Sequence, residues 1–120
     1  MAESKIFRAL KKAMASAPEV EALALVSVDG LPIESLLPEG MEEDRVAAVG
    51  AALLSLGERA AMELEKGTLD QVLIRAEKGD AMLMSVGEEA VLLALMKEGA
   101  KLGLTLLTLK KLASELKKLV

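Results

Sequence analysis

Histidine and cysteine are both absent from the 120 residues, and the only aromatic side chain is Phe7. Without cysteine there is no disulfide framework and no thiol chemistry. Without imidazole, nucleophilic catalysis of the Ser-His or Cys-His kind has no base. Zinc and copper sites, built on the same two residue types, are excluded with it. No Gly-x-x-x-x-Gly-Lys segment occurs, so the chain has no P-loop of its own. Gly79-Asp80 and Gly87-Glu88 read as turns rather than phosphate cradles. Asparagine is missing and Gln71 is the only glutamine, a composition of the kind thermophile proteins favour. The longest uncharged run lies within residues 46–57, short of the ~20 residues a membrane helix needs. The first residues are charged and helix-like, unlike a secretory signal. A soluble cytoplasmic protein is the expectation.

Carboxylates are plentiful, but none of the 19 acids is singled out by spacing as half of an acid–base pair. Glu42, Glu43 and Asp44 could serve a hard cation only if they converged. Consecutive side chains on a helix diverge, so these three read as a solvated first turn at the positive end of a helix dipole. The sequence thus assigns no catalytic residue, no cofactor, no metal and no enzymatic activity.

What is present is aliphatic. Hydrophobic residues make up 52% and charged residues 28%, a globular composition suited to one domain over residues 1–120. Net charge is −4, but it is unevenly placed. Residues 1–18 and 101–120 hold nine bases and two acids, a local balance of +7. Residues 19–100 hold six bases and seventeen acids, a balance of −11. If the two terminal segments share a face, that face is cationic.

Residues 22–37 set the architecture. Two β-prone runs flank Asp29-Gly30, a strong hairpin signal that suggests a type I′ turn with positive φ at both central residues. The first run is apolar at almost every position and should lie inside a sheet with both faces covered. The second carries Pro32 and should be an edge strand. Before the hairpin, Ile6, Phe7, Leu10 and Met14 place an amphipathic helix over residues 3–17, ended by Pro18. After it, residues 42–66 form the longest helix, with Gly67 where a C-terminal cap belongs. Strands follow at 69–76, 81–86 and 90–96. The last helix spans 101–120, with Leu102, Leu106, Leu109, Ala113, Leu116 and Val120 on one stripe. This order predicts an α+β fold, one antiparallel sheet with helices on its faces.

The middle helix is greasy on more than one side. Val46, Val49, Leu53, Leu56, Ala60 and Leu64 form one stripe, yet residues 46–57 are apolar or small all round. One side can meet the sheet, and little chain remains to cover the other. Small residues at Ala47, Gly50, Ala51 and Gly57 permit close helix contact, so a second copy is expected there, with Leu54 turned toward it.

Leu25-Val26-Ser27-Val28-Asp29-Gly30-Leu31-Pro32-Ile33, the alanine-rich helix 46–57, the Lys78-Gly79-Asp80 turn and Gly99-Ala-Lys-Leu-Gly103 together resemble the roadblock-type dynein light-chain family, close to its prokaryotic members of the gliding-motility regulator kind. The resemblance implies a five-stranded sheet, with the middle helix on one face and both terminal helices on the other. It also implies a homodimer in which middle helices pack together and third strands join. The dimer interface would then comprise Ala47, Gly50, Ala51, Leu54, Gly57, Ala61, Leu73 and Arg75.

Family members bind Ras-like small GTPases, as scaffolds or as regulators of nucleotide turnover. A homodimeric, non-catalytic regulator or scaffold for such a GTPase is therefore expected. A nucleotide-insensitive adaptor joining larger partners is the alternative. The more polar second half of the middle helix, with Glu58, Arg59, Met62, Glu63 and Lys66, is the candidate partner patch. An arginine finger in trans could come from Arg8, Arg45, Arg59 or Arg75, though each reads first as an ordinary solvated or paired arginine. Nucleic acid is not an expected partner, because stacking aromatics are lacking and the pI is about 5.0. The terminal lysines read as solubilising a leucine-rich helix, with an anionic lipid or an acidic protein as lesser readings.

Overall fold

The computed structural model describes residues 4–120. In chain order it has α1 (Lys5–Ser16), β1 (Val20–Ser27), β2 (Pro32–Leu36), α2 (Glu43–Glu63), β3 (Val72–Ala76), β4 (Gly79–Val86), β5 (Ala90–Lys97) and α3 (Leu102–Lys117). The five strands form one antiparallel sheet in the order β2-β1-β5-β4-β3. The almost wholly apolar β1 and β5 lie inside it, and Pro32 opens the edge strand β2, as expected from residue types.

Side-chain alternation divides the core into two layers. Leu23, Leu25, Met82, Met84, Leu92 and Met96 face α1 and α3. Ala24, Val26, Leu83, Val91 and Leu93 face α2. Strand β3 keeps the same alternation. Val72 pairs with Leu83 on the α2 side, and Leu73 pairs with Met82 on the other.

Ser4 caps α1, its hydroxyl accepting from the Phe7 amide at 2.9 Å; the start expected at Glu3 lies outside the described residues. At the far end of that layer, the Glu19 carboxylate accepts from the Lys101 amide at 3.0 Å and from the Thr105 hydroxyl at 3.1 Å. This carboxylate satisfies an otherwise orphan donor at the start of α3 and complements the helix dipole. It ties the entry of β1 to α3 across 82 residues of sequence. Val120, expected on the buried stripe of α3, is exposed beyond the helix end.

Two turns differ from the sequence expectation. At Asp29-Gly30 only Gly30 has positive φ, 88°, so the turn is not type I′. The Gly30 amide donates to the Ser27 carbonyl and the Ser27 amide donates to the Leu31 carbonyl. The reversal therefore takes a longer loop, with Gly30 absorbing the positive φ and a bulge following at Val26 opposite Pro32.

At the end of α2, the left-handed cap is Glu65 (φ 58°), two residues before Gly67. The Lys66 amide donates to the Ala61 carbonyl and the Glu65 amide to the Met62 carbonyl, the pair of bonds of a Schellman cap. A glutamate in that conformation costs about 1 kcal/mol relative to glycine. Glu65→Gly is accordingly expected to raise Tm by roughly 4 °C in a domain of this size, measured by calorimetry.

Helix α2 is rotated about its axis from the expected setting. Its sheet-facing residues are Ala47, Gly50, Ala51 and Leu54, all buried within the single chain. A Cβ on Gly50 would stand 3.4 Å from Leu93 Cδ1 and 3.7 Å from Val26 Cγ2. Gly57 faces its own chain too, over Val72 and Leu69. These five residues therefore do not present themselves to a second copy. Small side chains let the helix settle close to the β-sheet, and the same pattern had suggested a close helix–helix contact.

Candidate interaction surface

The rotation leaves large residues outside. Val49 is 48% exposed, Leu56 63%, Met62 71% and Leu64 69%. Ala48, Ala52 and Ser55 are exposed beside them. The stripe at 3-4 spacing thus points largely to solvent, with Val46, Leu53 and Ala60 half-buried along its margins. Single exposed leucines are ordinary, but a run along one helix face marks an interaction site.

Next to this stripe the sheet ends in β3, whose outer edge carries no strand. Leu73, Ile74, Arg75 and Ala76 are exposed. Arg75 Nε donates to Asp80 Oδ1 at 3.3 Å, and Asp80 is only 6% exposed. The other carboxylate oxygen, Asp80 Oδ2, is buried without a hydrogen-bond donor, as is Gln71 Oε1 just before β3. Leaving a buried acceptor unsatisfied costs about 1–3 kcal/mol; Gln71 lies just before the edge strand, and Asp80 one strand further in, on β4. The sequence held no signal for Asp80, which looked like a turn residue.

Of the expected interface set, Leu73 and Arg75 are at the edge and exposed, and Ala61 is half-buried. The expected partner patch is open to solvent throughout, at Glu58, Arg59, Met62, Glu63 and Lys66. Within it Arg59 Nε and Glu63 Oε1 are 3.1 Å apart, one helical turn from each other. Both side chains are well exposed, so the pair adds little stability and either group can be drawn to a partner. Arg8 and Arg45 are exposed elsewhere. At the start of α2, Glu43 accepts from the Ser35 hydroxyl at 3.1 Å. Among the described residues no group of three or more His, Cys, Asp or Glu could hold a metal ion.

The Roadblock/LC7 domain model matches residues 7–96, which run from α1 through β5. The chain belongs to the Roadblock/LC7 family. Among its relatives in this family, Uncharacterized protein MJ0714 of Methanocaldococcus jannaschii is 32% identical over 117 residues, 98% of each chain. Uncharacterized protein MJ0310 of the same organism is 36% identical over 93 residues, 78% of this chain and 81% of the relative. Among solved structures, MglB of Myxococcus xanthus has the same fold, with TM-score 0.89 at 21% identity, covering 99% of this chain and 97% of that one. The roadblock fold, with one helix on one face of the sheet and two on the other, is thus confirmed. Among the described residues no helix is long and apolar enough to cross a membrane.

Proposed function

We propose that this roadblock domain is a homodimeric, non-catalytic subunit that docks a Ras-like small GTPase and biases its nucleotide cycle in the cytoplasm. The observation that carries the reading is the continuous surface made by the outer face of α2 and the open edge of β3. A second copy is the fitting occupant. A two-fold axis beside β3 sets Val49, Ala52 and Leu56 against their equivalents and extends the sheet through the edge. An MglB has itself been solved in a tetrameric arrangement, which supports self-association within this fold.

Membership of the Roadblock/LC7 family and the fold shared with MglB support a GTPase as the partner, and the polar end of α2 is where it would bind. Glu58, Arg59, Met62, Glu63 and Lys66 lie beyond the apolar stripe, so pairing through Val49 and Leu56 leaves them accessible. Docked there, the dimer would order the switch segments of the GTPase and change hydrolysis or exchange.

The test mixes the protein with a Ras-like small GTPase of its own organism. The expected results are a complex on gel filtration and a changed rate of GTP hydrolysis or GDP release, both lost in Arg59→Glu/Met62→Glu while the dimer persists. No complex and no rate change would overturn the proposal. Equal affinity for the GDP and GTP forms would replace it with the adaptor role.

A further inference from the structure

The face opposite α2 carries a second surface that the GTPase reading does not use. Helices α1 and α3 lie side by side, and between them runs a shallow groove lined by Ala13 and Lys12 of one and by Thr108, Lys111, Leu112 and Glu115 of the other. Their buried sides meet the sheet through Leu10, Ala13, Leu109, Leu112 and Leu116. Their outer sides present Lys5, Arg8 and Lys12 from α1 and Lys111 from α3, with Lys118 just beyond its end, all exposed. Over the two helices the only acid is Glu115, which is half-buried. Acids from the rest of the chain meet these helices at three places: Glu34 at the Ser4 cap, Glu19 at the start of α3, and Asp70, 3.2 Å from Lys110. None of the three contacts involves Lys5, Arg8, Lys12, Lys111 or Lys118.

Lysines alone would read as a solvated face. What changes the reading is Leu104, 80% exposed, and Leu107, 64% exposed, on the outer side of α3 among these bases. The leucine-rich helix has not turned all its leucines inward. Two bare leucines in a basic plane are the arrangement by which a helix face seats at a lipid interface, its side chains entering the headgroup boundary while lysines meet anionic headgroups. A nucleic acid would find no aromatic side chain on this plane to stack on.

We propose that the outer face of α1 and α3 binds the surface of an anionic bilayer peripherally, with Leu104 and Leu107 entering the interface and Lys5, Arg8, Lys12, Lys111 and Lys118 facing the headgroups. The face belongs to one chain and needs no second copy. Because it lies across the sheet from α2, pairing through α2 and β3 leaves it free.

The full chain is tested by co-sedimentation with vesicles of phosphatidylcholine alone and of phosphatidylcholine mixed with phosphatidylglycerol. Binding is expected to the mixed vesicles only, and to weaken as salt rises. Each base removed should weaken it about five-fold, the equivalent of roughly 1 kcal/mol, so Lys12→Gln/Lys111→Gln loses about 25-fold. Leu104→Ser/Leu107→Ser should lose at least ten-fold while the bases remain. All four positions are solvent-facing, so circular dichroism should show the variants folded. Absence of binding to the mixed vesicles overturns the proposal, as does equal binding to both kinds. Binding that survives both pairs of substitutions also overturns it. Binding to polyglutamate without binding to vesicles would assign the face to an acidic protein and overturn it as well.

Discussion

Leu54→Glu is expected to leave no cooperatively folded protein, whereas Leu56→Glu, two residues on, is expected to fold normally and to sediment as a single chain. Leu54 is 3% exposed, packed in the layer between α2 and the sheet with Val26, Leu83 and Leu93. A glutamate there loses the leucine's burial and places a carboxylate among aliphatic side chains. Either effect alone costs several kcal/mol. The sum is comparable with the whole stability of a domain, about 5–15 kcal/mol. Leu56 is already in water in the single chain, so its replacement should change the stability of one chain by less than about 0.5 kcal/mol. Its effect would fall on the proposed pairing surface, where two glutamates would be brought together across the axis. Thermal melts followed by circular dichroism read the first outcome, and analytical ultracentrifugation the second. A folded Leu54→Glu would mean that α2 is rotated from its position here. A dimeric Leu56→Glu would remove the outer face of α2 from the proposed interface.

Gly79→Ala should destabilise the chain by at least about 3 kcal/mol, from backbone strain and displaced packing, and lower Tm by more than roughly 10 °C. Gly79 opens β4 with φ 135°, and a Cβ at that position would land on the Met96 carbonyl oxygen. That carbonyl belongs to the central strand β5, which cannot yield without disturbing its pairing with β1 and β4. Gly67→Ala is the matched control. Its φ is also positive, 84°, but nothing lies within 4 Å of the added carbon. The cost there should be limited to the conformational term, about 1 kcal/mol. Chemical denaturation of the three proteins side by side measures the difference.

The sheet was legible in the sequence because period-two and all-apolar runs separate edge strands from central ones. Pro32 fixed an edge, and the unbroken apolar run of β5 fixed the middle. The excess grease of α2 was legible too, since twelve residues without charge cannot all face one sheet. The rotation of that helix was not. Alanine and glycine are equally suited to a close helix partner and to a close sheet, and periodicity alone does not say which neighbour they meet. The positive φ of Glu65 was hidden for a related reason: Gly67 stood nearby as the usual capping residue, and tertiary packing ended the helix earlier. The buried carboxylate of Asp80 and the bare leucines of α3 depend on which strands and helices become neighbours, which local patterns do not encode.

Gly57 gives the molecule a mechanical property. A methyl group on it would stand 2.6 Å from Val72 Cγ2, so the second half of α2 rests directly on the first residue of the border strand. Load applied to the polar end of the helix is passed to that strand through the Val72 side chain, with no side chain of the helix in between. Whatever seizes Arg59 and Met62 therefore also presses on the seam where a second copy would attach, and grip at one place should stiffen the other.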